Sequence, residues 1–163
     1  MDSGRTLATL FREHQAGLVC MALLIVGDQP TAEDAVQDAF AAVHRRMDRL
    51  ADHARVLPYI RAAVVNQCRM VLRRRKIAQR LGRTHEPPVW SAESAAMLSE
   101  DRREGFLALR ELPQRQREAL VLRYYLDLDE AEIAEVMGVS RGTVKSTTSR
   151  GIAALANRLR EGS

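Results

Sequence analysis

Apolar residues recur at helical intervals along nearly the whole chain, and the strict alternation that marks a half-buried strand is almost absent. An all-α fold follows from that one pattern. The first helix is expected from about Thr6 to Val26, ending at Gly27-Asp28. The second begins after Pro30. Thr31 is its expected N-cap, with Asp34 three residues on in a capping-box arrangement. Its apolar stripe is Ala32, Ala35/Val36, Ala39/Phe40, Val43, Met47 and Leu50. The third starts near Pro58, which a first turn tolerates, and carries Ile60, Val64, Cys68 and Val71/Leu72 on one face. Arg61, Arg69 and Arg73, spaced by multiples of four, are expected on another.

The pattern breaks between about Ile77 and Arg103. Gly82, the Pro87-Pro88 pair and Ser/Ala/Glu-rich residues near Ser91–Ser99 have the composition of a linker. Trp90, the only tryptophan, sits inside it. It is open to two readings, an anchor for a partner or a side chain folded back on a domain. A second helical unit starts near Glu104, with an apolar stripe of Phe106, Leu107, Leu109 and Leu112 before Pro113. A helix is expected over Gln114–Leu126, then two more joined by a tight turn. The chain is therefore expected to form two small helical domains, residues 1–80 and 104–163, joined by a flexible linker over 81–103. At 163 residues it is long enough for that and for little more.

The layout of charge is more telling than the net +4. Of 25 basic residues, 23 are arginine, whose planar fork suits phosphate and base edges. A GC-rich coding sequence would raise that count, but not arrange it. From His53 to His85 there are nine basic residues and no acid. From Val136 to Arg160 there are five more, again without an acid. Two segregated basic blocks point to two places that meet a polyanion.

The second block overlaps a specific local pattern. In Glu132-Ile133-Ala134-Glu135-Val136-Met137-Gly138-Val139-Ser140-Arg141-Gly142-Thr143-Val144-Lys145, Asp129 and Ser140 are placed to cap successive helices. Ile133, Ala134 and Met137 point inward. Gly138 can supply the positive φ of the corner, and Val139 and Val144 plug the angle. The second helix is expected to bury Val144, Thr148, Ile152 and Leu155. It offers Arg141, Lys145, Ser146, Ser149 and Arg150 outward, a set suited to phosphates and the major groove. This reads as a helix-turn-helix, the other reading being an αα-hairpin that merely packs; the acid-free basic outer face favours the first.

With these pieces in place, the chain resembles bacterial sigma factors of the extracytoplasmic-function group, a minimal branch of the sigma-70 family. Leu112-Pro113, Gln116-Arg117-Glu118-Ala119, Leu122-Arg123-Tyr124 and the helix-turn-helix resemble that family's domain four. Ala32-Glu33-Asp34-Ala35-Val36-Gln37-Asp38-Ala39-Phe40 resembles region 2.2. Pro58-Tyr59-Ile60-Arg61 through Asn66 to Arg73-Arg74-Arg75-Lys76 resembles regions 2.3 and 2.4. The motifs stand in the family's order over nearly the whole chain.

The resemblance implies a transcription initiation factor that binds core RNA polymerase, directs it to promoters and assists opening. Asp34, Gln37, Asp38 and Ala41 would meet the β′ clamp helices. Tyr59, Arg61, Asn66, Arg69, Arg73 and Arg74 would hold the opened minus-ten element, with Asn66 reading an extruded base. Arg141, Gly142, Lys145, Ser146, Ser149 and Arg150 would read the minus-thirty-five element, and domain four would rest on the β flap. The linker would thread the RNA exit path. An anti-sigma factor is a further partner common in the family, which no residue here demands. Three positions depart from the usual pattern. Tyr59 replaces a frequent Trp and is the only aromatic from Ala41 to His85, which implies weak strand opening and a close-matching promoter. Asp129-Glu130 replaces Ser-Tyr, and Thr147-Thr148-Ser149 replaces larger residues.

Other classes fit less well. Cys20 and Cys68 have no metal-ligand spacing, and the four histidines are scattered, so neither a metal, a cofactor nor an enzymatic site is expected. The longest apolar run, Leu18–Val26, has nine residues, too few to cross a bilayer, and no signal peptide is read. The expected location is the bacterial cytoplasm, at the nucleoid. A self-sufficient dimeric repressor would not need the first basic block. A nuclease would need clustered carboxylates, which both blocks lack. A polymerase-bound anti-sigma protein would not need two basic DNA faces.

Overall fold

A computed structural model describes residues 3–49, 55–82 and 100–162. Every regular element among them is helical. The chain divides into two compact units, Met1–His85 and Glu86–Ser163. Leu50 and Trp90, and most of the expected linker, lie outside the described residues.

In the first unit α1 is Ser3–Val26, α2 is Gln29–Arg46 with a 3₁₀ turn Met47–Arg49, and α3 is Val56–Arg80. Each packs on the other two. The apolar spacing explains the core. Leu18, Met21, Ala22 and Ile25 recur at i, i+3, i+4 and i+7 on α1 and are all buried. The buried residues of the two helices packed with it include Ala32, Val36, Ala39 and Val43 of α2, and Ile60, Val64 and Cys68 of α3. Burial of each large aliphatic side chain contributes roughly 1.5–3 kcal/mol. Phe11 and Phe40 meet edge to face, with centroids 4.9 Å apart. By length and composition Thr6–Val26 could cross a membrane, a reach not evident from the nine-residue run. Here one side of it is buried in the bundle.

The start of α2 differs from the expectation. Its N-cap is Asp28, not Thr31. Asp28 accepts the Thr31 amide at 3.1 Å and also the Thr31 hydroxyl. Pro30 in the first turn has no N–H to satisfy, so starting the helix three residues earlier is cheap. Thr31 thus becomes a donor to the cap, and Asp34 is left as an exposed surface acid.

In the second unit α4 is Glu100–Arg110, beginning four residues before the expected start. α5 is Gln114–Leu120 and runs on into a π-helical turn, Val121–Tyr125, where a plain helix to Leu126 was expected. The widened turn delivers the Leu128 amide to the Leu122 carbonyl at 3.1 Å, and Asp127 takes φ 55°. The Arg123 guanidinium donates to the Leu128 carbonyl. α6 is Glu130–Met137 and α7 is Arg141–Glu161. Phe106 and Leu112 are buried as expected, but Leu107 points to solvent, 53% exposed. Ile152, expected inside, is also exposed. Gly151 is buried in its place because it lies seven residues, about two turns, beyond Val144. A Cβ there would stand 3.2 Å from the Leu120 side chain. Arg117 is buried and donates to the carbonyls of Arg110 and Leu112 at 3.1 Å, tying the α4–α5 corner.

Candidate nucleic-acid interface

The helix-turn-helix is built by local bonds. Asp129 accepts the Glu132 amide at 2.8 Å, and the Glu132 carboxylate accepts the Asp129 amide at 3.2 Å, a complete capping box. α6 ends at Gly138 with φ 69°, and the Val139 amide returns to the Ala134 carbonyl. Ser140 then caps α7 by accepting the Thr143 amide at 3.1 Å. Ile133, Met137 and Val144 are buried in the corner, with Ala134 and Val139 half-buried.

That corner presents α7 by its N-terminal end. Arg141, Gly142, Lys145, Ser146, Ser149 and Arg150 are all exposed. At 100° per residue they cover an arc of about 180° facing away from Val144 and Gly151. The Ser146 hydroxyl donates to the Thr143 carbonyl, so it is held against the helix and presents acceptor lone pairs outward. Two other arginines of the basic block are occupied. Arg158 pairs with Glu111, and Arg160 bonds Asn157.

α3 carries the first basic block, and its outer face is more selective than the residue spacing suggested. Tyr59, Asn66 and Arg73 fall within about 40° of one another around the helix, and all are exposed. Met70 and Ile77 share that stripe, 45% and 48% exposed. These two apolar side chains were missed because an apolar residue on an amphipathic helix is read as core by default. Arg74 is exposed to one side. Arg69 flanks the other, half-buried and engaged within the protein. Arg61 lies about 140° from Asn66, on the packed side, half-buried. The expected face of Arg61, Arg69 and Arg73 is therefore not continuous; Val65, at the intervening position, is fully buried.

Arg75 also departs from expectation. It stands in the acid-free run from His53 to His85, yet it pairs with Asp28 at 2.7 Å. The partner is 47 residues away in the chain, beyond any local pattern. Partial burial pushes the Asp28 carboxyl up. Bonds from the Thr31 hydroxyl, Arg75 and the Thr31 amide, with the Arg75 charge, more than offset that and hold it below its ordinary range.

On α2, Asp34, Gln37, Asp38 and Ala41 form an exposed i, i+3, i+4, i+7 stripe. Beside it Ala41 lines an open apolar groove with Leu7, Phe11 and Phe40. Neither cysteine forms a disulfide; Cys20 is exposed and Cys68 buried. Among the described residues no cluster of His, Cys, Asp and Glu could hold a metal ion.

Known proteins match the chain in both units. Residues 10–77 match the family described as sigma-70 region 2, and residues 102–155 match sigma-70, region 4. The RNA polymerase sigma-E factor of Streptomyces avermitilis is 31% identical over 148 residues, covering 91% of this chain and 82% of that protein. The ECF RNA polymerase sigma factor SigM of Mycobacterium tuberculosis is 34% identical over 152 residues, covering 92% and 75%. The fold is similar to that of sigma factor RpoE from Bartonella quintana, solved with the anti-sigma factor NepR. There the TM-score is 0.77 at 23% identity, over 93% of this chain and 97% of that one. CnrH, solved with the cytosolic domain of CnrY, gives 0.75 at 22% identity, over 98% and 91%.

Proposed function

The chain belongs to the extracytoplasmic-function branch of the sigma-70 family of RNA polymerase sigma factors, and from that premise we infer how its surfaces divide the work of initiation. It binds core RNA polymerase, directs it to promoters and assists their opening. The family acts by binding rather than by catalysis, and we assign no reaction to this chain. Its place of action is the cytoplasm, on nucleoid DNA.

Residues 1–80 act as region 2, residues 104–163 as region 4, and residues 81–103 join them. On α2, Asp34, Gln37, Asp38 and Ala41 grip the β′ clamp helices. Among the described residues no ion pair neutralises Asp34 or Asp38, which supports a cationic partner. On α3, Tyr59, Asn66, Arg73 and Arg74 hold the opened minus-ten strand. Arg73 and Arg74 suit its phosphates, and Asn66 suits a base edge. Met70 and Ile77 add apolar contact for unstacked bases. Arg69 contributes at the margin of this face, whereas Arg61, on the packed side of α3, does not take part. On α7, Arg141, Gly142, Lys145, Ser146, Ser149 and Arg150 read the minus-thirty-five element in the major groove, while region 4 rests on the β flap. The two solved neighbours were captured with NepR and CnrY, and an anti-sigma factor is a fitting regulator here too.

The observation that carries this reading is the pairing of two exposed, acid-free basic helix faces, one in each unit, with an unneutralised acidic stripe on α2. Run-off transcription with purified core polymerase tests it. The chain is expected to confer initiation on templates that core alone does not use. Binding of a palindrome by the chain without polymerase, and no stimulated transcription, would favour a repressor instead.

A further inference from the structure

Arg75 stands inside the densest basic run of the chain, Arg73-Arg74-Arg75-Lys76, yet its guanidinium turns inward. Nη1 donates to the Val26 carbonyl at 2.7 Å, and Nη2 donates to Asp28 Oδ1 at 2.7 Å. A longer contact of 3.4 Å reaches the Thr31 hydroxyl. Val26 ends α1, Asp28 caps α2 and Arg75 belongs to α3. One planar fork therefore joins all three helices. The site suits a cation twice over: the last carbonyls of α1 carry partial negative charge, and Asp28 is ionised. Only 19% of the Arg75 side chain and 7% of the Asp28 side chain are exposed, so water competes weakly for these bonds.

The consequence lies in what the clasped helices carry. α2 bears the Asp34–Ala41 stripe, which starts six residues after Asp28. α3 bears Arg73 and Arg74, directly before Arg75. α2 and α3 pack on each other, and every buried residue of α2 is apolar, three of them the small Ala32, Ala35 and Ala39. Apolar burial is non-directional and limits sliding and rotation of α3 less strictly than charge-assisted bonds of fixed geometry. We propose that Arg75 is a positioning residue for promoter opening. Its clasp on Val26 and Asp28 sets the rotation and height of the DNA-facing stripe of α3 against the polymerase-gripping helix α2, and Arg75 itself touches no phosphate. The proposal rests on the reading of α2 and α3 given above.

Two variants separate the clasp from its alternatives. Asp28→Ser keeps a good N-cap but is too short to reach Arg75. Arg75→Met keeps length and loses the donors. Each variant, and the double variant, is assembled with core polymerase on a promoter fragment that the wild-type holoenzyme opens. Core affinity, the salt dependence of closed-complex affinity and the opening rate at saturating holoenzyme (by permanganate reactivity) are measured, with circular dichroism confirming a folded chain at the assay temperature. Either single variant is expected to slow opening roughly tenfold, and the double variant no further, because both break one coupled unit. Core affinity and the salt slope are expected to stay at wild-type values. Unchanged opening by the folded variants overturns the proposal, leaving the clasp a matter of stability alone. So does a loss of about one unit of log–log salt slope with Arg75→Met and no effect of Asp28→Ser, which would make Arg75 a phosphate ligand. Should Arg75→Met not fold, Arg75→Lys decides the matter. It keeps the charge but cannot fork to both acceptors, so slowed opening with a wild-type salt slope is expected, and a wild-type rate overturns the proposal. A wild-type holoenzyme that opens no promoter overturns the functional reading, and the role of the clasp with it.

Discussion

Gly138 is the corner on which the presentation of α7 depends, and its replacement gives a stability change that can be worked out in advance. Its φ of 69° and ψ of 36° lie in the left-handed region. No heavy atom lies within 4 Å of where a Cβ would stand, so substitution meets a backbone cost and no clash. For alanine that cost is about 1–2 kcal/mol. Asparagine tolerates the region and should cost less, while β-branched valine should cost more. For a domain of this size, 1 kcal/mol moves the unfolding midpoint by about 4–8 °C. Gly138→Ala should therefore lower the melting of the second unit by roughly 4–16 °C, with Asn milder and Val worse. Gly142 is the control. It lies in the first turn of α7 without a positive φ, and a Cβ there would meet only Ser140 Oγ at 3.9 Å. Gly142→Ala should instead stabilise by about 0.5–1 kcal/mol. The assay is thermal unfolding of the full chain, with residue-resolved amide signals of α5 and α7 assigning the transition to the second unit. A Gly138→Ala protein as stable as wild type, or the order Val, Ala, Asn from mildest to worst, would refute the left-handed corner.

Four further outcomes are expected. Asp34→Arg with Asp38→Arg should weaken binding to core polymerase by several kcal/mol, since like charges would then face a cationic partner, while helix content is unchanged; pull-down and circular dichroism check it. Replacing Arg73 and Arg74 should weaken all promoters alike and reduce the log–log salt slope by about one unit per contact. Asn66→Ala should instead impair opening of a matched promoter more than of one altered at the cognate base, with little change in salt slope; permanganate footprinting on both templates distinguishes them. Finally, the Asp28 carboxyl is held below its ordinary 3.8, so its contribution to stability is fully present above that value. It is lost as the pH falls further, through the lower folded-state value. Acid titration of the first unit's melting should show a loss that Asp28→Ser lessens.

What could be read in advance was what is local. Asp129, Glu132, Gly138 and Ser140 act within a few residues of themselves, so the helix-turn-helix and its caps were legible. The apolar face of α2 was legible because six of its named positions, and Met47 in the turn that follows, obey one helical period. Four features were not. The cap at Asp28 competes with an equally plausible Thr31, and the bond that distinguishes Asp28 comes from Arg75, 47 residues on. Gly151 was passed over for Ile152 because hydrophobicity favours isoleucine, whereas at 151 the helix packs so closely on Leu120 that even a Cβ would stand 3.2 Å from its side chain. The π-helical turn at Val121–Tyr125 carries no sequence mark of its own. For the DNA-facing side of α3, a spacing of four suggested that Arg61 shared a face with Arg73. Three such steps drift by about 120°, and Arg61 ends on the packed side.

The most direct test of the account sequences the 5′ ends of transcripts made on genomic DNA by core polymerase with the chain, with Lys145→Ala and with Asn66→Ala. The account predicts start sites absent with core alone, each preceded by two short elements at a constant spacing. Lys145→Ala should relax preference within the upstream element only, and Asn66→Ala within the downstream element only. Start sites indistinguishable from those of core alone, or both variants altering the same element, would contradict a chain that reads promoters with two separate helices.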